Sequence, residues 1–442
     1  MRLGIGRRIS LTNGKSITVG DMLGEGGQGE VYKVALDGKS YALKWYTSSD
    51  IIANEAFYKN LRNNIESGTP SDKFLWPKFL TEKSEGSFGY VMDLRPSGYN
   101  EFAEFLVAKK VFFDSHAAQI NAALNITEAF RDLHRKGYSY QDLNDGNFFI
   151  NAKTGDVLVC DNDNVAPNGE NLGIKGKARY MAPEIVRNIS KPDKYSDYFS
   201  LSVILFELMF FSHPLEGERL VKHPCLTEDL ELLLYGKEPI FIFDPENAMN
   251  RPVQGIHNNA IRYWSVYPEY LRDKFRKAFS YKAMNSGDLD VARRERIMDN
   301  DWRKTFISLR SGIIRCPRCS EEIMLNIGAD TKCPNPKCGN VVGKTHSLSF
   351  MGGKYRIPVY PGIEVLGCMT DDMGDDRTKR TGFISTHPQK PGVLGIRNDS
   401  SMPWTVRLKD GTVKPLEPGK SISFGVISEI SFKQGCSADV ID

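Results

Sequence analysis

The stretch that most restricts this chain is Gly24-Glu25-Gly26-Gly27-Gln28-Gly29-Glu30-Val31, followed fifteen residues after Gly29 by a lysine closing Tyr41-Ala42-Leu43-Lys44. Glycine lets a backbone come close to a partner that a Cβ would keep away, so a G-x-G-x-x-G-x-V run can aim several N–H groups at one anion. Short β-like runs flank it: Ile17 to Val19 before, Glu30 to Ala35 and Ser40 to Trp45 after, with Phe88 to Met92 further on. A dinucleotide-binding turn requires a helix after its glycines, whereas Val31 to Leu36 continues as a strand. Alone, the loop reads equally well as a flexible hairpin turn and the lysine as a solvated surface group. Their common register turns both readings toward a site.

Between the strands, Asp50 to Ile65 has helical spacing, with Ile52, Ala56, Lys59 and Leu61 near one face. A lysine at the end of a strand needs a carboxylate to orient it. Glu55 on that helix is the expected partner, with Glu66 second. From about 101 to 310 the pattern is mostly helical, and Ile120, Ala123, Leu124, Ile126, Thr127, Phe130 and Leu133 make one apolar stripe. A β-rich lobe of residues 1–95 followed by a helical lobe of residues 96–310 is the expected layout.

Three further motifs follow in order. Tyr140-Gln141-Asp142-Leu143-Asn144-Asp145-Gly146-Asn147 lies between an apolar helix and the β-like Phe148-Phe149-Ile150. Val157-Leu158-Val159 leads into Cys160-Asp161-Asn162-Asp163, with Asp161 fourteen residues after Asn147. Aspartates and asparagines in such stretches are more often turn formers than ligands, and Asp163 is read here as a turn residue. Last comes Tyr180-Met181-Ala182-Pro183-Glu184, and after it Ser196-Asp197 opens the apolar run Leu201 to Phe211.

Five motifs in this order and spacing resemble the eukaryotic-like protein kinase family over residues 10 to about 310. The resemblance implies an ATP- and Mg²⁺-dependent transferase acting on Ser or Thr hydroxyls of proteins. It assigns ATP contacts to Gly24, Gly26, Gly29, Val31, Ala42, Lys44 and Asp93, and catalytic roles to Lys44, Glu55 and Asp142. Asn147 and Asp161 become the Mg²⁺ ligands, as hard oxygen donors suit that ion. Glu184 and Asp197 become structural groups, with Arg293 or Arg294 expected to pair with Glu184.

The chain departs from the family pattern at several points. Tyr140 and Gln141 stand where the family has His and Arg, and Gln141 cannot form a charged bidentate pair with a segment phosphate. Phosphorylation of that segment is therefore not expected to be the switch. Asn144 replaces a lysine that touches the γ-phosphate, which weakens charge stabilisation. Asn162 and Asp163 replace Phe and Gly, removing an apolar residue whose flip regulates relatives. An ATP-binding scaffold without activity is the alternative expectation.

Beyond residue 310 the composition changes. Cys316-Pro317-Arg318-Cys319 and Cys333-Pro334-Asn335-Pro336-Lys337-Cys338 form C-x₂-C and C-x₄-C knuckles. Four thiolates at this spacing suit a structural zinc ribbon, expected over 311–345, with no open coordination position. Residues 346–442 alternate turns with short β-like runs such as Leu394 to Arg397, Trp404 to Leu408 and Ser421 to Val426, which suggests a small β-sandwich. Its later strands resemble the forkhead-associated type, which binds phosphothreonine, although the Ser-x-x-His element is absent. The fold class expected is thus α+β: a two-lobed kinase, a zinc ribbon and a β-sandwich. That order resembles bacterial kinases of tellurite-resistance-type stress systems, grouped with a von Willebrand factor A protein and a metal-dependent phosphatase. Both then become expected partners.

Composition excludes little else. The net charge of +3 on 442 residues gives no case for nucleic acid or an anionic membrane as a partner. Met1 to Gly14 holds Arg2, Arg7 and Arg8 with no apolar stretch following, unlike a secretory signal. The longest apolar run, Leu201 to Phe211, is too short to span a bilayer and reads as a buried helix. A cytoplasmic location is the default expectation.

Overall fold

The computed structural model describes residues 2–107, 111–173, 176–285, 287–371, 374–433 and 435–441. The chain forms two compact units: Met1–Asp114 with Asn125–His257 and Arg276–Asp299, and Ser115–Leu124 with Asn258–Phe275 and Asn300–Asp442. This division crosses the stretch 96–310 read above as one lobe.

The first unit opens with an antiparallel six-stranded sheet. Its strands are β1 (Arg8–Ser10), β2 (Ser16–Glu25), β3 (Gly29–Leu36), β4 (Lys39–Tyr46), β5 (Phe79–Leu80) and β6 (Gly89–Asp93), in spatial order β1-β2-β3-β4-β6-β5. β4 lies between β3 and β6, so Ala42 to Tyr46 are buried on both faces. Alternation then sorts its side chains. Leu43 and Trp45 join Ile17, Val19, Tyr32 and Val34 on one side. Ala42 and Tyr46 join Phe57, Leu61, Tyr90 and Cys160 on the other. Lys44, two residues from each of that second pair, belongs to their face by the same period of two.

The expected helix over 50–65 is broken. α1 (Ser49–Ala53) stops at Asn54, which caps α2 (Glu55–Ser67) by accepting a hydrogen bond from the Phe57 N–H at 3.0 Å. Restarting the helix shifts its phase. Of the expected Ile52, Ala56, Lys59 and Leu61 only Leu61 is buried, and Phe57, Asn60 and Asn64 complete the inward face.

Next in the chain are α3 (Phe102–Val107), α4 (His116–Arg135), α5 (Pro183–Val186) and α6 (Lys194–Phe210). α6 contains most of the apolar run and is buried from Ser196 to Phe210. Its N-cap Asp193 accepts the Tyr195 and Ser196 N–H groups at 2.9 Å each. Among the described residues no helix is long and apolar enough to cross a membrane.

In the second unit, Ile313–Arg315 pairs with Glu322–Met324 and Thr331–Lys332 with Val341–Val342, each an antiparallel hairpin. The C-terminal residues form one six-stranded and one four-stranded antiparallel sheet. Trp404 of the larger sheet packs on Gly382 of the smaller: a Cβ there would lie 2.8 Å from the ring. Arg397, Asn398 and Ser400 shape one turn. Asn398 donates to the Met402 and Leu416 carbonyls, Ser400 Oγ donates to Asn398 Oδ1, and Asp399 neutralises Arg397.

Candidate active site

The glycine loop is the turn between β2 and β3, closed by the Gly26 N–H donating to the Gly29 carbonyl at 2.9 Å. Its glycines serve different ends. Gly24, Gly26 and Gly27 have open space where a Cβ would stand, whereas a Cβ on Gly29 would lie 2.2 Å from the Trp45 carbonyl oxygen. The first three leave room for a ligand, and Gly29 lets β3 pack against β4. Val31 sits opposite Lys44 in the β3–β4 register.

A second hairpin assembles the acidic groups. Phe148–Ile150 pairs antiparallel with Val157–Val159, and the Cys160 N–H donates to the Asn147 carbonyl at 2.9 Å. That register brings Asn147, which precedes one strand, beside Asp161, which follows the other. Asp161 takes a left-handed conformation with φ 55°. Above it, Asn144 caps a short 3₁₀ turn: its side chain accepts the Gly146 N–H at 3.0 Å, and its own N–H donates to Asn147 Oδ1 at 2.6 Å. An amide oxygen has a second lone pair, so Asn147 retains acceptor capacity.

Asp142 receives hydrogen bonds from Asn144 Nδ2 and Asn164 Nδ2, both at 3.3 Å. Burial and the nearby Asp161 carboxylate push its pKa up to about 6. The backbone beneath it is pinned by Asp197, which accepts the Tyr140 N–H at 2.6 Å and the Gln141 N–H at 3.2 Å. His134 lies between Asp197 (3.1 Å) and Asp299 (2.7 Å). Burial opposes its charge, but the two carboxylates prevail and raise its pKa to about 9.

Lys44 is 5% exposed. Its ammonium lies 2.9 Å from Asp163, 3.1 Å from Gln28 Oε1 and 3.4 Å from Asp161. Burial acts against the charge, yet the two carboxylates outweigh it and the pKa is raised.

The expectation for Glu55 is corrected here. Its side chain is 76% exposed on the first turn of α2 and pairs with Lys83. The expected second choice, Glu66, is also exposed. Asp163, read from the sequence as a turn former, is fully buried, pairs with Lys44 and accepts the Tyr46 hydroxyl at 2.6 Å. No sequence signal separates it from other turn aspartates, except that it replaces a glycine two residues after a metal-type aspartate. Asp93 closes β6 with its carboxylate exposed and held by Lys78 at 2.6 Å. Ala42 is buried opposite Met92.

The partner of Glu184 is likewise corrected. It is Arg296, bidentate at 2.8 and 2.6 Å and buried with it. Arg293 pairs instead with the α6 cap Asp193, and Arg294 bonds the Asp290 carbonyl. Two of the departures acquire local functions. The Tyr140 hydroxyl donates to the Cys160 and Asp161 carbonyls, and Gln141 Nε2 donates to the Glu170 carbonyl at 2.6 Å.

In the second unit the four knuckle cysteines come together. Cys316 and Cys338 sulfurs are 3.7 Å apart, as are those of Cys319 and Cys333, and all four lie within 4.8 Å of one another. Tetrahedral ligation at about 2.3 Å from zinc places sulfurs about 3.8 Å apart, so the spacing fits one such ion.

A strand-borne buried lysine, a glycine turn, a loop aspartate and a second aspartate on an adjacent hairpin are thus gathered in the arrangement that the kinase resemblance implies. Comparison with known proteins agrees: residues 17–228 match the family model described as "Protein kinase domain". That match spans just under half of the chain. The chain is 28% identical over 211 residues to the probable serine/threonine-protein kinase PknB of Corynebacterium glutamicum, covering 45% of this chain and 32% of that protein. It is 29% identical over 217 residues to a cGMP-dependent protein kinase of Drosophila melanogaster, covering 48% of this chain and 22% of that one. The chain thus spans about a third or less of these curated relatives. A crystal structure of the Mycobacterium tuberculosis PknI kinase domain, a double mutant, aligns at a TM-score of 0.46 and 15% identity. It covers 69% of this chain and 98% of that one. At that level the likeness adds nothing to the assignment.

Proposed function

We propose that the protein is an active serine/threonine protein kinase, with Asp142 accepting the proton of the substrate hydroxyl. The observation that carries this is the convergence of Lys44, Asp142, Asn147 and Asp161 through two hairpin registers and the Asp197 anchor. Lys44 and the loop at Gly24, Gly26, Gly29 and Val31 would hold ATP. Asn147 and the half-exposed Asp161 would hold Mg²⁺, which offsets charge on the phosphates when bound. Asp142, kept partly desolvated, orients the hydroxyl and takes its proton.

A groove of about 1070 Å³, lined by Gln141, Gly176, Lys177, Met181, Glu228 and Glu231, adjoins this centre. Gly176 approaches Asp142 so closely that a Cβ would lie 3.1 Å from its carboxylate. Because Gln141 already ties the loop to the segment at Glu170, activity is expected without phosphorylation of that segment. The knuckle cysteines are read as a structural zinc site, and the C-terminal sheets as a β-sandwich that recruits partners. A von Willebrand factor A protein and a phosphatase are the partners suggested by domain order. Arg397 is paired with Asp399, which competes with a phosphothreonine for that guanidinium.

The test is transfer of labelled γ-phosphate from ATP to protein by wild type and Asp142→Ala. Wild-type incorporation at least a hundredfold above the variant is expected, in line with the roughly 10²–10⁴-fold worth of a positioned base. Equal, minimal incorporation by both would leave only the scaffold reading.

A further inference from the structure

We propose that Asp163 is the residue that positions Lys44, so that the lysine is held by the loop after Val157–Val159 and not by helix α2. This deepens the kinase reading above and rests on it.

Helix α2 contains two acids, Glu55 and Glu66, and both are exposed. The face it buries presents amides instead. Asn60 and Asn64 each donate to the Val165 carbonyl, at 2.8 and 2.7 Å. The helix therefore grips the loop two residues beyond Asp163, with neutral groups, and leaves Lys44 alone. The ion pair comes from the loop itself, 2.9 Å from the ammonium.

Asp163 is held from both sides. Before it, Asn162 is fully buried and donates to the Leu75 and Val159 carbonyls, each at 3.0 Å. After it, Val165 is clamped by α2. Tyr46, whose hydroxyl donates to Asp163, packs edge-on against Phe57 of α2 with ring centroids 5.4 Å apart. A carboxylate buried this deeply is costly without its cation, so Lys44 and Asp163 hold one another in place. The two loop aspartates divide the work. Asp161 is half-exposed and 3.4 Å from Lys44, free to face a cation; Asp163 has no exposure and keeps the lysine.

The experiment uses the full chain as wild type, Asp163→Asn, Asp163→Glu and the double variant Glu55→Gln/Glu66→Gln. Two readouts are taken: phosphate transfer, and the pH dependence with which an adenosine bearing an amine-reactive sulfonyl fluoride labels Lys44, located by mass spectrometry. For Asp163→Asn, kcat/KM for ATP should fall roughly 10- to 100-fold, and the labelling midpoint should move down by about one pH unit or more. Asp163→Glu, which keeps the charge, should recover part of both. The double variant should match wild type in both. The proposal is overturned if Asp163→Asn folds and keeps the wild-type midpoint, or if the double variant shifts it. Should Asp163→Asn not fold, the double variant decides: unchanged labelling supports the loop, and a lowered midpoint returns the role to α2. If wild type transfers no phosphate, the kinase reading fails while the labelling midpoints still judge the positioning.

Discussion

Asp142 holds its proton more firmly than a solvated carboxyl because burial and Asp161 both oppose the anion. A base must be deprotonated to act, so kcat/KM should climb with pH along an acid limb near 6 and level above it, read from a pH–rate profile. Stability runs the other way. The folded pKa, about 6, exceeds the unfolded value of 3.8, so the folded state binds the extra proton between them and loses stability as pH rises through that window. Asp142→Asn should therefore raise the melting temperature at pH 8 and not at pH 3.5. Among the loop glycines, Gly29→Ala should destabilise the chain by about 1–3 kcal/mol, since its Cβ meets backbone. Gly26→Ala should leave the melting temperature unchanged. At this scale Lys44, Asp142, Asn147 and Asp161 were legible because each sits at a fixed offset from an apolar strand. Asp163 was not, because burial of a turn residue is decided by the strands and helix packed over it.

At the scale of elements, the link from Glu184 to Arg296 ties α5 to the stretch after Leu289–Glu295. Removing one partner strands the other charge without water. Arg296→Met should cost about 3–5 kcal/mol in chemical denaturation, and the pair Glu184→Met/Arg296→Met much less. The sequence pointed to an arginine near this place but chose Arg293 or Arg294. Those lie in the last turn of Leu289–Glu295, whereas Arg296 is its C-cap, where the chain turns extended. A cap residue's direction depends on the chain's exit from the helix, which no periodicity encodes. The same reason explains α2: one capping asparagine, Asn54, restarted the helix and moved a different set of residues inward.

At the scale of the molecule, the knuckles and terminal sheets belong to the second unit. If Cys316, Cys319, Cys333 and Cys338 hold zinc, elemental analysis should find one equivalent per chain, and Cys316→Ser/Cys333→Ser should lose it. Chelation should lower the melting temperature of the wild type and leave the double variant unaffected. The C-x₂-C and C-x₄-C spacings already stated this cluster, because two tight turns suffice to gather four sulfurs. Motif order, glycine loop, lysine register and the positions of Asp142 and Asp161 were equally available from the linear chain, since they depend on offsets along one or two strands. Which carboxylate reaches Lys44, which arginine reaches Glu184 and which face α2 buries were settled only in three dimensions. Each depends on groups far apart in sequence meeting in a space that excludes water, and there the cost of an unpaired charge selects the partner.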